Sequence, residues 1–133
     1  MDFKDNEPIY LQIATAVSEN ILTGKWPAGE KITSIRDLAV ELEVNPNTVN
    51  RAYELLQNQE VIINKRGMGL FVAQDGAAKI KVLRRERFMQ QELPEFFRNV
   101  LLLEIPFDDL QPLFERYKVL NSKPTEPTPD ENK

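Results

Sequence analysis

The 133-residue chain has no cysteine and no histidine. That excludes disulfide frameworks, thiol nucleophiles, Cys/His zinc sites and histidine acid–base catalysis together. No apolar run approaches the roughly 18 residues of a membrane span. The opening Met1-Asp2-Phe3-Lys4-Asp5 lacks the basic-then-apolar pattern of a signal peptide, so a cytoplasmic protein is expected. There is no glycine-rich phosphate loop on a strand-to-helix turn and no paired carboxylate motif, so no enzyme, metal or cofactor is expected. Basic residues are also in deficit. Seventeen Lys and Arg stand against 21 Asp and Glu, a net charge of −4. Taken alone, that argues against a nucleic-acid binder, whose domain is usually basic.

What remains is an ordinary globular composition, 41% hydrophobic and 29% charged, at a length suited to one compact domain with a small appendage. Ile9, Ile13, Val17 and Ile21 recur every four residues, which places a helix over about 7–23, with Asn6 as its cap, Pro8 in its first turn and Gly24 as its stop. Trp26 follows in a turn and is expected against the core. A second helix is expected over 34–43. Ser34 caps it, Asp37 completes a capping-box-like pair, and Ile35, Leu38, Ala39 and Leu42 face inward. After the link Val44-Asn45-Pro46 a third helix turns Val49, Ala52, Tyr53 and Leu56 inward and ends near Gln59. The β-prone runs 61–63 and 70–72, separated by Asn64-Lys65-Arg66-Gly67-Met68-Gly69, read as a hairpin.

Beyond the hairpin a long helix is expected over about 77–103. Val82, Met89, Phe96 and Leu103 repeat every seven residues, and Leu93 and Val100 lie four after Met89 and Phe96, a heptad-like seam with a break expected near Pro94. A last helix over 110–120, capped by Asp109, carries Leu110, Leu113, Phe114 and Tyr117 on one face. Residues 121–133, with three prolines and no large apolar side chain, read as a disordered tail. The fold class is therefore mainly α with a small β-hairpin. Residues 1–74 form a winged helix-turn-helix, and 75–120 form a two-helix region.

In a winged helix-turn-helix the second helix of the motif lies in the major groove and its N-terminal residues reach base edges. Here these are Asn45, Asn47, Thr48, Asn50 and Arg51. Asparagine pairs bidentately with adenine, and arginine with guanine or phosphate. Lys65, Arg66 and Gly67 stand at the hairpin tip, where basic side chains and a close backbone suit phosphate or the minor groove. Each has a plainer reading. Asn45 weighs more as a helix cap than as a base reader. Asn47, Thr48 and Asn50 also fit a solvated face, Lys65-Arg66 a charged turn, and Arg36 a weak surface ion pair. Their joint placement favours double-stranded DNA.

Residues 8–72 resemble the N-terminal domain of the GntR superfamily of bacterial transcription regulators. The resemblance rests on Pro8 to Ile13, Gly24 to Ile32, Ser34 to Ala39, Val44 to Tyr53 and Gly67 to Val72. It implies DNA contacts by Arg36, Asn47, Thr48, Asn50 and Arg51 from the helices and by Arg66 and Gly67 from the wing. Two positions depart from the family pattern. Thr33 replaces a proline and is expected to take over part of the cap. Glu60 replaces a glycine, which disfavours a left-handed helix stop there. The short C-terminal remainder is similar to the YtrA subfamily, whose helical region is a dimerisation module. Its members often lie beside ABC-transporter genes, which implies control of a transport or export operon.

The residue reading agrees on a homodimer. A seam with little core of its own needs a partner to bury Val82, Met89, Leu93, Phe96, Phe97, Val100, Leu103, Leu110, Leu113, Phe114 and Tyr117. The plainer alternative is packing against the first domain in cis. The basic run Lys79, Lys81, Arg84, Arg85 and Arg87 reads as a solvated face. The leading expectation is a homodimeric repressor on a pseudo-palindromic operator, with no effector named by the sequence. The competing one is a winged-helix protein–protein module, favoured by the acidity. Residues 1–74 hold seven basic and ten acidic residues, so the reading domain is itself acidic. Glu19, Glu41, Glu43 and Glu54 are expected away from the contact positions. On that footing the acids lower non-specific affinity and leave more of the binding to base contacts.

Overall fold

The computed structural model describes residues 1–122; residues 123–133 of the expected tail lie outside them. It contains α1 (Ile9–Leu22), α2 (Ile35–Leu42), α3 (Pro46–Asn58), β1 (Ile62–Lys65), β2 (Gly69–Val72), α4 (Gly76–Arg87), α5 (Leu93–Leu102) and α6 (Leu110–Asn121). Among the described residues no helix is long and apolar enough to cross a membrane. The chain divides into two compact units, Met1–Phe88 and Met89 onward. The division falls past residue 74 because Ile80 of α4 is buried in the first unit's core.

That core collects Ile13, Val17 and Ile21 of α1, Leu38 of α2, Val49, Tyr53 and Leu56 of α3, and Ile62 and Val72 of the hairpin. Three of the four residues at that spacing on α1 face inward as expected, whereas Ile9, in the first turn, is exposed; Trp26 is half-buried against the cluster. Each fully buried aliphatic side chain contributes about 1.5–3 kcal/mol. The start of α1 differs from expectation. Pro8, not Asn6, stands at the cap position in extended conformation (φ −55, ψ 139). Its carbonyl receives the amides of Leu11 and Gln12 at 3.1 and 3.3 Å. A residue before proline avoids helical geometry, so the helix cannot begin upstream of Glu7.

Ser34 caps α2, its Oγ accepting from the Asp37 amide at 3.1 Å. This is half of a capping box; among the described residues the Asp37 carboxylate makes no return bond. Thr33 contributes its carbonyl rather than a cap. The Tyr53 hydroxyl donates to it at 2.8 Å, tying α3 to the segment that leads into α2. Burial, with the Glu41 carboxylate adding to it, raises the Tyr53 phenol well above its ordinary range, so it stays a neutral donor. Tyr53→Phe is expected to lower unfolding free energy by about 1 kcal/mol in urea titration, because a half-buried carbonyl loses its donor.

Three helices end in the same closure with a glutamate in left-handed conformation: Glu43 (φ 57), Glu60 (φ 60) and Glu104 (φ 54). The residue after each donates five residues back: Val44 to Ala39, Val61 to Leu56 and Ile105 to Val100, at 3.0, 2.9 and 3.1 Å. At Glu60 the left-handed stop therefore forms without glycine. The strain is about 1–2 kcal/mol, and it is offset by placing the following apolar residue, Val61 being fully buried. Because Glu43 leaves the helix, the link between α2 and α3 is Glu43-Val44-Asn45.

The hairpin pairs Ile62 with Val72 and Lys65 with Gly69. A third extended segment joins its other edge. The Ile32 amide donates to the Leu70 carbonyl and the Val72 amide to the Glu30 carbonyl, both at 2.9 Å.

The expected long helix is interrupted. A π-helical turn occupies Phe88–Glu92, and α5 restarts with Pro94 in its first turn. Proline has no N–H for the Gln90 carbonyl and crowds it, which an ordinary α-turn does not accommodate. The seven-residue seam is therefore not continuous, and Leu103 lies past the end of α5. A 3₁₀ turn over Phe107–Asp109 leads into α6, and Asp109, in helical conformation, makes no capping bond. Asn121, placed in the tail by sequence, closes α6.

Within the second unit Phe97 lies 5.8 Å from Phe96 and 6.3 Å from Phe107, ring centre to ring centre. No described residue from Lys81 onward is buried.

Candidate nucleic-acid interface

The recognition helix α3 starts where the sequence placed it. Asn45 Oδ1 accepts from the Asn47 amide at 2.8 Å, so Asn45 serves as the cap and is not free to read a base with that oxygen. Pro46 fills the first helical position, where a missing N–H costs nothing. Val49, Ala52, Tyr53 and Leu56 are turned into the core. By helical geometry the opposite face must then carry Asn47, Asn50 and Arg51, which are exposed, with Thr48 half-buried between. Arg36 of α2 is likewise exposed. Among the described residues neither Arg36, Arg51 nor Arg66 pairs with an acid.

Two expected contact residues already have partners. Asn50 Nδ2 donates to Glu54 Oε1 at 3.0 Å, one turn along α3. Glu54 is therefore not remote from the reading face, as the sequence suggested. It touches that face and takes up one Asn50 amide N–H. The Arg51 guanidinium carbon sits 3.9 Å from the centre of the Tyr10 ring on α1. Pro8, Ile9, Tyr10, Asn47, Thr48 and Arg51 line one shallow groove where the start of α1 meets the start of α3. The sequence reading assigned Tyr10 no part in the site.

At the wing, the Met68 amide donates to the Lys65 carbonyl at 2.8 Å and closes a tight turn. Gly67 has a φ of +76 there, which a side-chain-bearing residue adopts only with strain. Lys65 Nζ lies 4.5 Å from the centre of the Phe71 ring, a diagonal cross-strand neighbour. Arg66 is exposed at the tip. A glycine at 69 leaves room for another cation, since a Cβ there would come within 2.9 Å of Lys31 Cε. The basic run on α4 is partly committed elsewhere. Lys79 pairs with Asp75 and Glu60 at 3.3 and 3.4 Å, and Arg84 with Glu19 at 3.5 Å.

A polar, cation-bearing helix end beside a basic, glycine-containing hairpin defines a winged-helix DNA-binding regulator. The family profile described as bacterial regulatory proteins, gntR family, matches residues 9–72. A solved GntR-family transcriptional regulator from Bacteroides thetaiotaomicron is 42% identical, with a TM-score of 0.70 over 82% of this chain and 95% of that one. The HTH-type transcriptional repressor YtrA of Bacillus subtilis is 36% identical over 75 residues, 56% of this chain and 58% of the relative. AraR(DBD), solved in complex with operator ORR3, is 27% identical with a TM-score of 0.50, over 55% of this chain and 88% of that one. The chain belongs to the GntR family and is a DNA-binding transcriptional regulator. That assignment displaces the protein–protein module as a reading of the first unit.

Proposed function

We propose that the protein acts in the cytoplasm as a homodimeric repressor on a pseudo-palindromic operator. Two copies of α3 would enter successive major grooves, with Arg36, Asn47, Thr48, Asn50 and Arg51 contacting DNA from the helices and Lys65, Arg66 and Gly67 from the wings. The operator complex of AraR(DBD) supports the choice of ligand. Likeness to the transcriptional repressor YtrA supports repression, and control of a transport operon is what the subfamily resemblance implies.

One observation carries the homodimer. Among its described residues the second unit has exposed apolar side chains and no buried core. Val82 on α4 and Met89, Phe96, Phe97, Leu103, Leu113, Phe114 and Tyr117 are each between 42% and 67% exposed. Leu93, Val100 and Leu110 are only half-buried. Monomeric proteins rarely leave so many large apolar side chains exposed, and a second copy would cover them symmetrically.

Light scattering at micromolar concentration is expected to give twice the chain mass. Fluorescence anisotropy against duplex from the DNA upstream of the gene is expected to show a salt-sensitive complex of two chains per site. A monomer at that concentration, or one chain per saturated site, would refute the assembly.

A further inference from the structure

The Arg51 guanidinium is held without being neutralised. Among the described residues no carboxylate pairs with it, and the acid one turn away, Glu54, is engaged by Asn50. Its neighbour is the face of Tyr10, 3.9 Å from the guanidinium carbon. A ring face attracts a cation through its quadrupole and leaves the edge N–H donors and the full positive charge available. A carboxylate in the same place would orient the group but cancel its charge toward phosphate and occupy its donors.

Tyr10 is also well anchored. It lies in the first turn of α1, whose start is fixed by Pro8. The Gln12 side chain, 7% exposed, clamps the segment before it. Gln12 Oε1 accepts from the Lys4 amide at 2.7 Å, and Gln12 Nε2 donates to the Lys4 and Glu7 carbonyls, both at 2.8 Å.

We propose that Tyr10 is a positioning residue for DNA recognition: from α1 its ring holds the Arg51 side chain in the orientation in which it meets a base. The inference rests on the assignment of Arg51 to DNA. Tyr10 acts through Arg51, so its contribution exists only while Arg51 is present.

The test is a double-mutant cycle on a duplex selected by the wild-type protein from a random-sequence pool, read by anisotropy, with thermal melts confirming that each variant is folded. Y10F keeps the ring and is expected within about twofold of wild type, whereas Y10M keeps apolar bulk without a ring and raises Kd about fivefold. In an R51A background, Y10M is expected to change Kd by less than about twofold, since the coupled partner is gone. Repeating the selection with Y10M relaxes the same base position that R51A relaxes. Should Y10M melt below the assay temperature, Y10L takes its place. Equal losses from Y10M with and without Arg51 overturn the proposal, as does a Y10F loss equal to that of Y10M, which would assign the effect to the hydroxyl. Wild-type affinity in R51A removes Arg51 from DNA and the inference with it, a result distinct from failure of Tyr10 alone.

Discussion

Phe96→Asp is expected to dissociate the proposed dimer and weaken operator binding by about two to four orders of magnitude. Phe96 is 45% exposed, so the monomer loses little by its removal. In the proposed dimer the same position is covered, and a carboxylate there is desolvated without a partner, at a cost of several kcal/mol. The DNA effect is larger than the contact itself. While the two reading heads are linked, the second binds at an effective concentration in the millimolar range; once separated, each binds alone. The first unit has its own core around Tyr53 and Leu56, so its helical signal should survive. Sedimentation velocity and anisotropy on one sample decide the matter: a variant that remains dimeric and binds as wild type would place the interface elsewhere.

Arg51→Ala is the next largest expected effect, a loss of about 1–3 kcal/mol on the selected duplex, or roughly tenfold to hundredfold in Kd. The residue is exposed on α3. Its removal leaves the Val49, Ala52 and Leu56 face intact and loses only the Tyr10 contact, so melting temperature should fall by no more than a few degrees. Loss on a scrambled duplex is expected to be smaller, because a base contact contributes nothing to non-specific binding. Equal losses on both duplexes would reassign Arg51 to phosphate. The Asn50–Glu54 bond also holds the acid of this helix on the reading face. One Asn50 N–H is taken up by that bond, and the Glu54 charge beside it opposes close approach of phosphate.

The local signals in the sequence carried most of the first unit. Ser34 and the Asn45-Pro46 pair mark helix starts because a cap is a contact between residues two or three apart, legible in any short window. The hairpin declared itself by β-branched runs around Gly67 and Gly69. What escaped depends on partners far along the chain. The edge segment at Glu30 and Ile32 is extended because Leu70 and Val72 offer it hydrogen bonds, and nothing in its own composition says so. Glu60 adopts a glycine conformation because Val61 gains more by burial than the backbone loses. The π-helical turn reflects Pro94 acting backward on the preceding residues. In the site, Arg51 and the α3 polar face were legible from motif position. The Tyr10 ring under Arg51 was not, because they lie 41 positions apart and only the packing of α1 on α3 unites them.

Glu43, Glu60 and Glu104 have a consequence at the level of the protein's lifetime. Each withholds about 1 kcal/mol that glycine in the same conformation would release. Three such positions amount to a sizeable fraction of a small domain's whole margin, of order 5–15 kcal/mol. The scaffold thus runs below the robustness its own backbone permits. Molecules not engaged on an operator or with a partner open more often and are cleared sooner. Turnover of the regulator is thus adjustable at three positions, Glu43, Glu60 and Glu104, none of which is among the residues proposed to contact DNA.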